Sequence, residues 1–275
     1  MTDHPPEDPR AARRERHVTR LRRLTVLSAE RLTPHMLRVT LGGEELRGFH
    51  SPGFGDHVKL FFLQPGQDAS VLPVQGPDGV VFPAAERPAA RDYTPRRHDP
   101  VSNTLQIDFA LHEAGPATAW AQQAAPGQIL LVGGPRGSLI LSTAFDWHLL
   151  VGDDTALPAI ARRLEELPAG QRAVVIAEVE DPEDRIPFAS AAELSTHWVY
   201  RRGAPAGEAA RLLAELGAVS FPPGAFQAWV ACESGVARAV RQALLERGAE
   251  PRWLRAAGYW QRGAAGTHET VGEAG

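Results

Sequence analysis

The sequence predicts two domains: an antiparallel β-sandwich or barrel, followed by an α/β domain with a parallel sheet. Three observations carry this. Residues 18–141 hold short runs rich in β-branched and aromatic residues, separated by Gly, Pro and Asp clusters. After Phe145, strand-like runs alternate with helical repeats, the pattern of parallel strands joined by crossover helices. The length, 275 residues, suits roughly two domains with a core each.

In chain order, residues 1–16 are polar and Pro- and Arg-rich, so they read as a disordered tail without the apolar run of a signal peptide. The barrel half, 17–143, carries expected strands at 24–27, 36–41, 57–63, 105–111 and 129–132, interrupted by a helix at about 116–125. The boundary falls near 142–145. In the α/β half, 144–262, strands are expected at 147–151, 173–179, 197–200 and 228–232. Helices follow at 157–167, 208–216 and 235–247. Leu157, Ile160, Ala161, Leu164 and Leu167 recur at helical spacing in the first helix; Asp154 or Thr155 can cap it, and Pro158 fits its first turn. Residues 263–275 read as a loose tail.

Composition removes several function classes. A net charge of −4 argues against non-specific nucleic-acid binding. The single cysteine, Cys232, permits neither an intrachain disulfide nor a protein-ligated iron–sulfur cluster. Electron transfer would therefore run through an organic cofactor. The ten histidines are scattered, and no metal ligands are expected. No apolar run reaches the length of a membrane span, and a cytoplasmic monomer without membrane partners is the expectation. Lys59 is the one lysine among 29 basic residues.

Four stretches carry candidate chemistry. Arg91-Asp92-Tyr93-Thr94-Pro95-Arg96 packs two guanidinium groups, a ring and a hydroxyl into an extended segment. Tyr93 can stack on a flat ligand, Thr94 can donate to it, and Arg91 or Arg96 can neutralise phosphate. A sheet-edge strand with solvated arginines would look the same. His112, followed by Gly115-Pro116-Ala117 and a short helix, offers bare amides to an anion, or is a capped structural helix. Gly133-Gly134-Pro135-Arg136 is a Gly-rich turn, either between domains or at a ligand. Gly152-Asp153-Asp154-Thr155-Ala156 ends the first α/β strand, where such folds bind nucleotides, although it is neither a Gly-x-Gly-x-x-Gly nor a P-loop. Arg201 or Arg202, at a later strand end, can meet a ribose 2′-phosphate or simply be solvated. Cys232-Glu233-Ser234-Gly235 closes another strand.

Taken together, Arg-x-Tyr-Thr-x-Arg on a barrel, Asp56-His57-Val58-Lys59, Gly115-Pro-Ala-x-x-Trp120-Ala, Gly134-Pro-Arg136-Gly, the Gly152 stretch through Ile160, and Gly258-Tyr259-Trp260 resemble the siderophore-interacting proteins. These are flavin-dependent ferric-siderophore reductases within the ferredoxin–NADP reductase superfamily. The likeness runs from about Arg16 to residue 268. It implies a six-stranded FAD-binding barrel and an NAD(P)H-binding α/β domain. It also implies roles. Tyr93 would stack on the isoalloxazine and Thr94 would bond near its N5. Arg91, His112 and the Gly115, Pro116 and Ala117 segment would hold the pyrophosphate, with Trp120 toward the adenine. Arg96, Asp108 and Phe109 complete the expected FAD shell, while Gly152, Asp154, Thr155, Ala156 and Arg201 would serve NADPH or NADH. Lys59, Arg136 and Arg262 would line the mouth for the ferric siderophore, though Gln261 stands where family members commonly carry the arginine after Gly-Tyr-Trp. Two alternatives keep part of this picture: a reductase of free flavin or a protein partner on the same fold, and a non-enzymatic siderophore-binding module.

Overall fold

The computed structural model describes residues 8–77, 79–112, 115–264 and 269–271. The first half forms β1 (Arg13–Arg16), β2 (Leu21–Thr33), β3 (Met36–Gly42), β4 (Val58–Phe62), β5 (Val74–Gly76), β6 (Gly79–Val81), β7 (Ala89–Tyr93), β8 (Arg97–Asp99), β9 (Thr104–Ala110), helix α1 (Pro116–Gln122), β10 (Ile129–Gly133) and β11 (Gly137–Ile140). Seven of these strands make one antiparallel sheet in the order β7-β4-β10-β2-β3-β9-β8. Its two outer members, β7 and β8, are consecutive pieces of a single extended segment. Pro95, between them, has no N–H to give to a ladder. The chain leaves β4 there and joins β9, where the Arg96 N–H donates to the Gln106 carbonyl at 2.9 Å. Counting that bent segment once, the sheet closes through six strand positions, matching the expected barrel. Inside it, period-2 alternation buries Leu24, Val39, Leu60, Ile107, Phe109 and Val132.

The second half comprises β12 (Trp147–Gly152), α2 (Leu157–Glu166), β13 (Arg172–Val179), β14 (Glu193–Tyr200), α3 (Ala209–Ala218), β15 (Phe226–Glu233), α4 (Ser234–Glu246), β16 (Leu254–Trp260) and β17 (Glu269–Val271). Sheet order is β14-β13-β12-β15-β16-β17. All pairs are parallel except β16 with β17, so the sheet is mixed rather than wholly parallel. Strand order runs outward from β12 in both directions, which makes the carboxyl ends of β12 and β15 the topological switch point. Gly152 belongs there because of space: a Cβ would stand 2.5 Å from the Ala156 Cβ and 2.7 Å from the Ala231 carbonyl.

Both expected tails need correction over their described parts. β1 pairs with β11, and β17 pairs with β16, so each tail contributes a strand. Charged Arg13–Arg16 has no apolar alternation to announce it. Residues 1–7, 265–268 and 272–275 lie outside the described residues. Strands β5, β6, β8 and β11 escaped the sequence reading because each spans only three or four residues, and β16 because Arg255-Ala256-Ala257-Gly258 is poor in β-branched side chains.

One apolar cluster crosses between the halves. Met36, Phe54 and Ala110 pack with Leu157, Ile160 and Trp229. Polar clamps surround it. Arg96 forms a two-pronged pair with Glu165 of α2 at 2.5 and 3.0 Å, and Arg162 donates to the Pro95 carbonyl at 3.0 Å. Arg163 donates to the Ser142 carbonyl at 2.6 Å.

Candidate active site

The bent strand β7–β8 sets the first part of the site. Tyr93 alternates onto the barrel's inner side, where its ring lies 4.5 Å from Phe109. Burial pushes its phenol well above the ordinary range. Thr94 is buried, and its hydroxyl is hydrogen-bonded to Tyr259 of β16, whose own phenol is held up by burial. That bond ties the hexapeptide to the α/β half. Arg91 donates to the Ala90 carbonyl at 2.8 Å and has no carboxylate partner among the described residues. The other two members of the expected FAD shell are engaged elsewhere. Arg96 belongs to the Glu165 clamp, and Asp108 is held bidentately by Arg38 at 2.6 and 2.7 Å. Both read as parts of the scaffold. Phe109 is fully buried and supports Tyr93 from beneath.

Helix α1 begins at Pro116 with Gly115 as its N-cap in extended conformation. Its first intrahelical bond comes from Ala119 to the Gly115 carbonyl, so the Ala117 and Thr118 amides precede the ladder. Among the described residues, a Cβ on Gly115 would meet nothing within 4 Å. Trp120 packs 5.7 Å from both Phe62 and Phe109 and so anchors the helix on the barrel core. His112 stacks toward Trp260 at 6.5 Å, bridging barrel and α/β half. Residues 113 and 114 of this insertion lie outside the described residues.

At the switch point neither Asp154 nor Thr155 caps α2, which has no side-chain cap; the short 3-10 turn Asp154–Ala156 that leads into it is capped by Asp153. Its Oδ1 accepts from the Thr155 N–H at 3.0 Å and from the Thr155 hydroxyl, and its Oδ2 accepts from Trp260 Nε1 at 2.8 Å and the Glu233 N–H at 3.2 Å. Burial, then the neighbouring Asp154, pushes its carboxyl upward. The sequence reading passed over it; the doubled acid after a strand-ending glycine was the available signal. Ala156 is fully buried beneath Gly152. Arg201 departs most from its expected role. Asp154 at 2.7 Å, Glu180 at 3.1 Å and Glu178 at 3.7 Å enclose its guanidinium, which leaves it 8% exposed. Arg202 beside it is exposed, over the Tyr200 ring at 5.9 Å.

Lys59 points out of the barrel, since its neighbours Val58 and Leu60 point in. With Arg136, His57, Phe61, Phe82 and Asp92 it lines a cavity of about 240 Å³ on the outer face. Its ammonium donates to Asp92 Oδ1 at 2.6 Å, so it is paired rather than free. Arg136 is exposed at the rim. Arg262 does not line this cavity. It sits past β16, with its N–H on Glu233 and its guanidinium on the Ala206 carbonyl. The structure therefore brings together Lys59 and Arg136 but not Arg262.

The donor set fits FAD. An acid-free guanidinium at Arg91, two amides ahead of the α1 ladder and a buried hydroxyl at Thr94 are the groups the barrel half offers such a cofactor.

Known proteins match the whole arrangement. A family model for the siderophore-interacting FAD-binding domain matches residues 25–139, and one for siderophore-interacting proteins matches residues 145–263. The chain is 37% identical over 256 residues to the NADPH-dependent ferric-chelate reductase of Escherichia coli K12, covering 92% of this chain and 97% of that one. It is 34% identical over 236 residues to the ferric vibriobactin reductase ViuB of Vibrio cholerae, covering 84% and 86%. The crystal structure of a siderophore utilization protein from T. fusca aligns with a TM-score of 0.87 at 37% identity, covering 93% of this chain and 98% of that one. With a matching model on each half and relatives aligned nearly end to end, this chain belongs to the siderophore-interacting protein family, its barrel being the family's FAD-binding domain.

Proposed function

We propose that the chain is an NADPH-dependent, FAD-containing reductase of ferric siderophores. The observation that supports this reading is an arginine without a carboxylate partner among the described residues, Arg91, on the same barrel as a cavity lined by Lys59, Asp92 and Arg136. A 37% identical reductase of ferric chelates, aligned over 97% of its length, supports it. When bound, FAD supplies the conversion from a two-electron hydride donor to a one-electron ferric acceptor. The rest falls to the chain's own side chains. Arg91 and the Ala117 and Thr118 amides would hold the pyrophosphate. Tyr93, stiffened by Phe109, would give the ring a flat wall, and the Thr94 hydroxyl would orient it. The Gly152–Ala156 turn at the switch point would receive the nicotinamide dinucleotide, with Arg202 reaching its ribose phosphate. Lys59 and Arg136 would hold an anionic ferric chelate. Reduction frees the metal, because hard oxygen chelators hold Fe³⁺ better than the softer Fe²⁺.

The test is a spectrum of the purified protein, then anaerobic titration with NADPH and NADH with and without a ferric siderophore. Bound flavin, bleached by NADPH and reoxidised by the ferric chelate, is the expected outcome. NADPH oxidation indifferent to the chelate would favour a free-flavin or partner-protein reductase, and a colourless protein that binds chelate without turnover a binding module.

A further inference from the structure

Away from this machinery, three side chains from distant parts of the barrel half converge. Glu15, His17 and His50 each offer a ligand atom, and those atoms all lie within 4.8 Å of one another. β1 explains the first two. Glu15 stands opposite Ser138 of β11, and His17, two residues on, shares its face. The His17 N–H extends the ladder to the Arg136 carbonyl at 2.9 Å. His50 arrives from the loop before β4, its ring edge-on to that of His17 at 5.2 Å. Its Nε2 lies 2.7 Å from Glu15 Oε1, and His17 Nδ1 lies 3.8 Å from the same oxygen. Arg13 occupies the other oxygen of Glu15 at 3.0 Å.

The surrounding hydrogen bonds fix which nitrogen of His17 carries its proton. The Ser138 hydroxyl donates to Asp56 Oδ2 at 2.6 Å, so its oxygen is left to accept from His17 Nε2 at 2.8 Å. The proton therefore sits on Nε2, and Nδ1 presents a lone pair toward Glu15 and His50. Asp56 is 3% exposed and is held by the Ser51 hydroxyl and the Gly53 N–H. An imidazole with one nitrogen anchored through a hydroxyl to a buried carboxylate, and the other bare, is the way metal-bound histidines are held. A surface His–Glu pair needs no such relay.

We infer that Glu15, His17 and His50 form a binding site for a divalent first-row transition metal. Two imidazoles and a carboxylate suit Fe²⁺, Co²⁺ or Zn²⁺ and leave the remaining positions open to solvent. In the metal-free site His50 Nε2–H donates to Glu15; on metal entry that proton leaves Nε2, the neutral ring carries its proton on Nδ1 instead, and Nε2 exchanges its bond to Glu15 for coordination. Thr19 and Arg136, adjoining His17 in chain and ladder, line the cavity that holds Lys59. On the reductase reading above, the cation freed beside the triad is Fe²⁺. The site itself does not depend on that reading.

The experiment is an anaerobic Co²⁺ titration of the full chain, flavin retained, after metal stripping. One equivalent should bind with visible ligand-field bands, and Zn²⁺ or excess Fe²⁺ should displace it. His50 is 59% exposed, so His50→Ala spares the fold while lowering affinity at least about tenfold. Ser138→Ala should weaken binding by roughly tenfold or more through the His17 tautomer. Protonation of either imidazole competes with the metal, so affinity should fall with acidification. Unchanged flavin absorbance in each variant separates lost binding from lost fold. Uptake by the native chain no greater than that of a His17→Gln/His50→Ala double variant overturns the site, and Co²⁺ that excess Fe²⁺ fails to displace overturns the iron assignment.

Discussion

Arg91 and Arg201 look alike in sequence, each an arginine within two residues of a tyrosine, and the fold gives them opposite fates. Arg91 has only a neighbouring carbonyl, so its charge is available to an anion. Arg91→Ala removes a charge-assisted contact worth roughly 1.5–3 kcal/mol, and FAD affinity should fall at least about tenfold in a flavin titration of the apoprotein. A variant that purifies fully loaded would refute the assignment. Arg201 is the converse. With three carboxylates around it, its loss strands Asp154 and leaves Glu178 to Arg211 alone, and should lower stability before it touches nucleotide choice. Arg202→Ala is the sharper test of specificity: KM for NADPH should rise while KM for NADH stays put, and equal effects on both would remove Arg202 from the site. The sequence reveals that two cations stand at this strand end. It does not reveal that Glu178, on the neighbouring strand, draws one of them inward. The metal triad was hidden for a similar reason, because 33 residues separate His17 from His50 and their meeting depends on β1, which carries no apolar signature.

Long buried strands and amphipathic helices were legible because their periodicity is set by burial alone. The expected 157–167 helix is α2, one residue shorter, and strand 173–179 is β13 with one residue added. Closure of the barrel was not legible, since it hangs on a strand that changes partner at Pro95. Within this framework β12 carries one poorly matched residue. His148 is fully buried beside Phe145, and burial, then Arg163, pushes its imidazole down to about 4. The unfolded chain takes up that proton near 6.5 and the folded chain only near 4. Stability is therefore complete above about pH 6.5 and falls as pH drops through that window, by about 3 kcal/mol in all. His148→Leu keeps the volume and deletes the proton site. Thermal midpoints of the variant should decline less between pH 7 and pH 4.5 than those of the native chain, and parallel declines would clear His148 as the cause.

At the scale of the whole molecule the balance of charge is negative, −4, yet the proposed substrate face presents cations. A ferric tris-catecholate is multiply anionic, so its capture has to rest on local rather than net charge. The cavity shows how little local charge there is. Lys59 is paired with Asp92, which leaves Arg136 as the surplus. Lys59→Ala would do more than delete a cation, because it would release Asp92 as an uncompensated anion at the cavity wall. KM for an anionic chelate should rise, and the rise should shrink at high salt, since a Debye length of about 8 Å at physiological ionic strength shortens further as salt is added. A neutral hydroxamate complex should be indifferent. Removing both members of the pair is the discriminating variant. Lys59→Ala/Asp92→Ala restores the balance, and if Lys59 acts through the field, KM for the anionic chelate should return most of the way to the native value with an unchanged flavin spectrum. If the double variant stays as impaired as the single one, the Lys59 ammonium touches the chelate directly, and steering by charge passes to Arg136 alone.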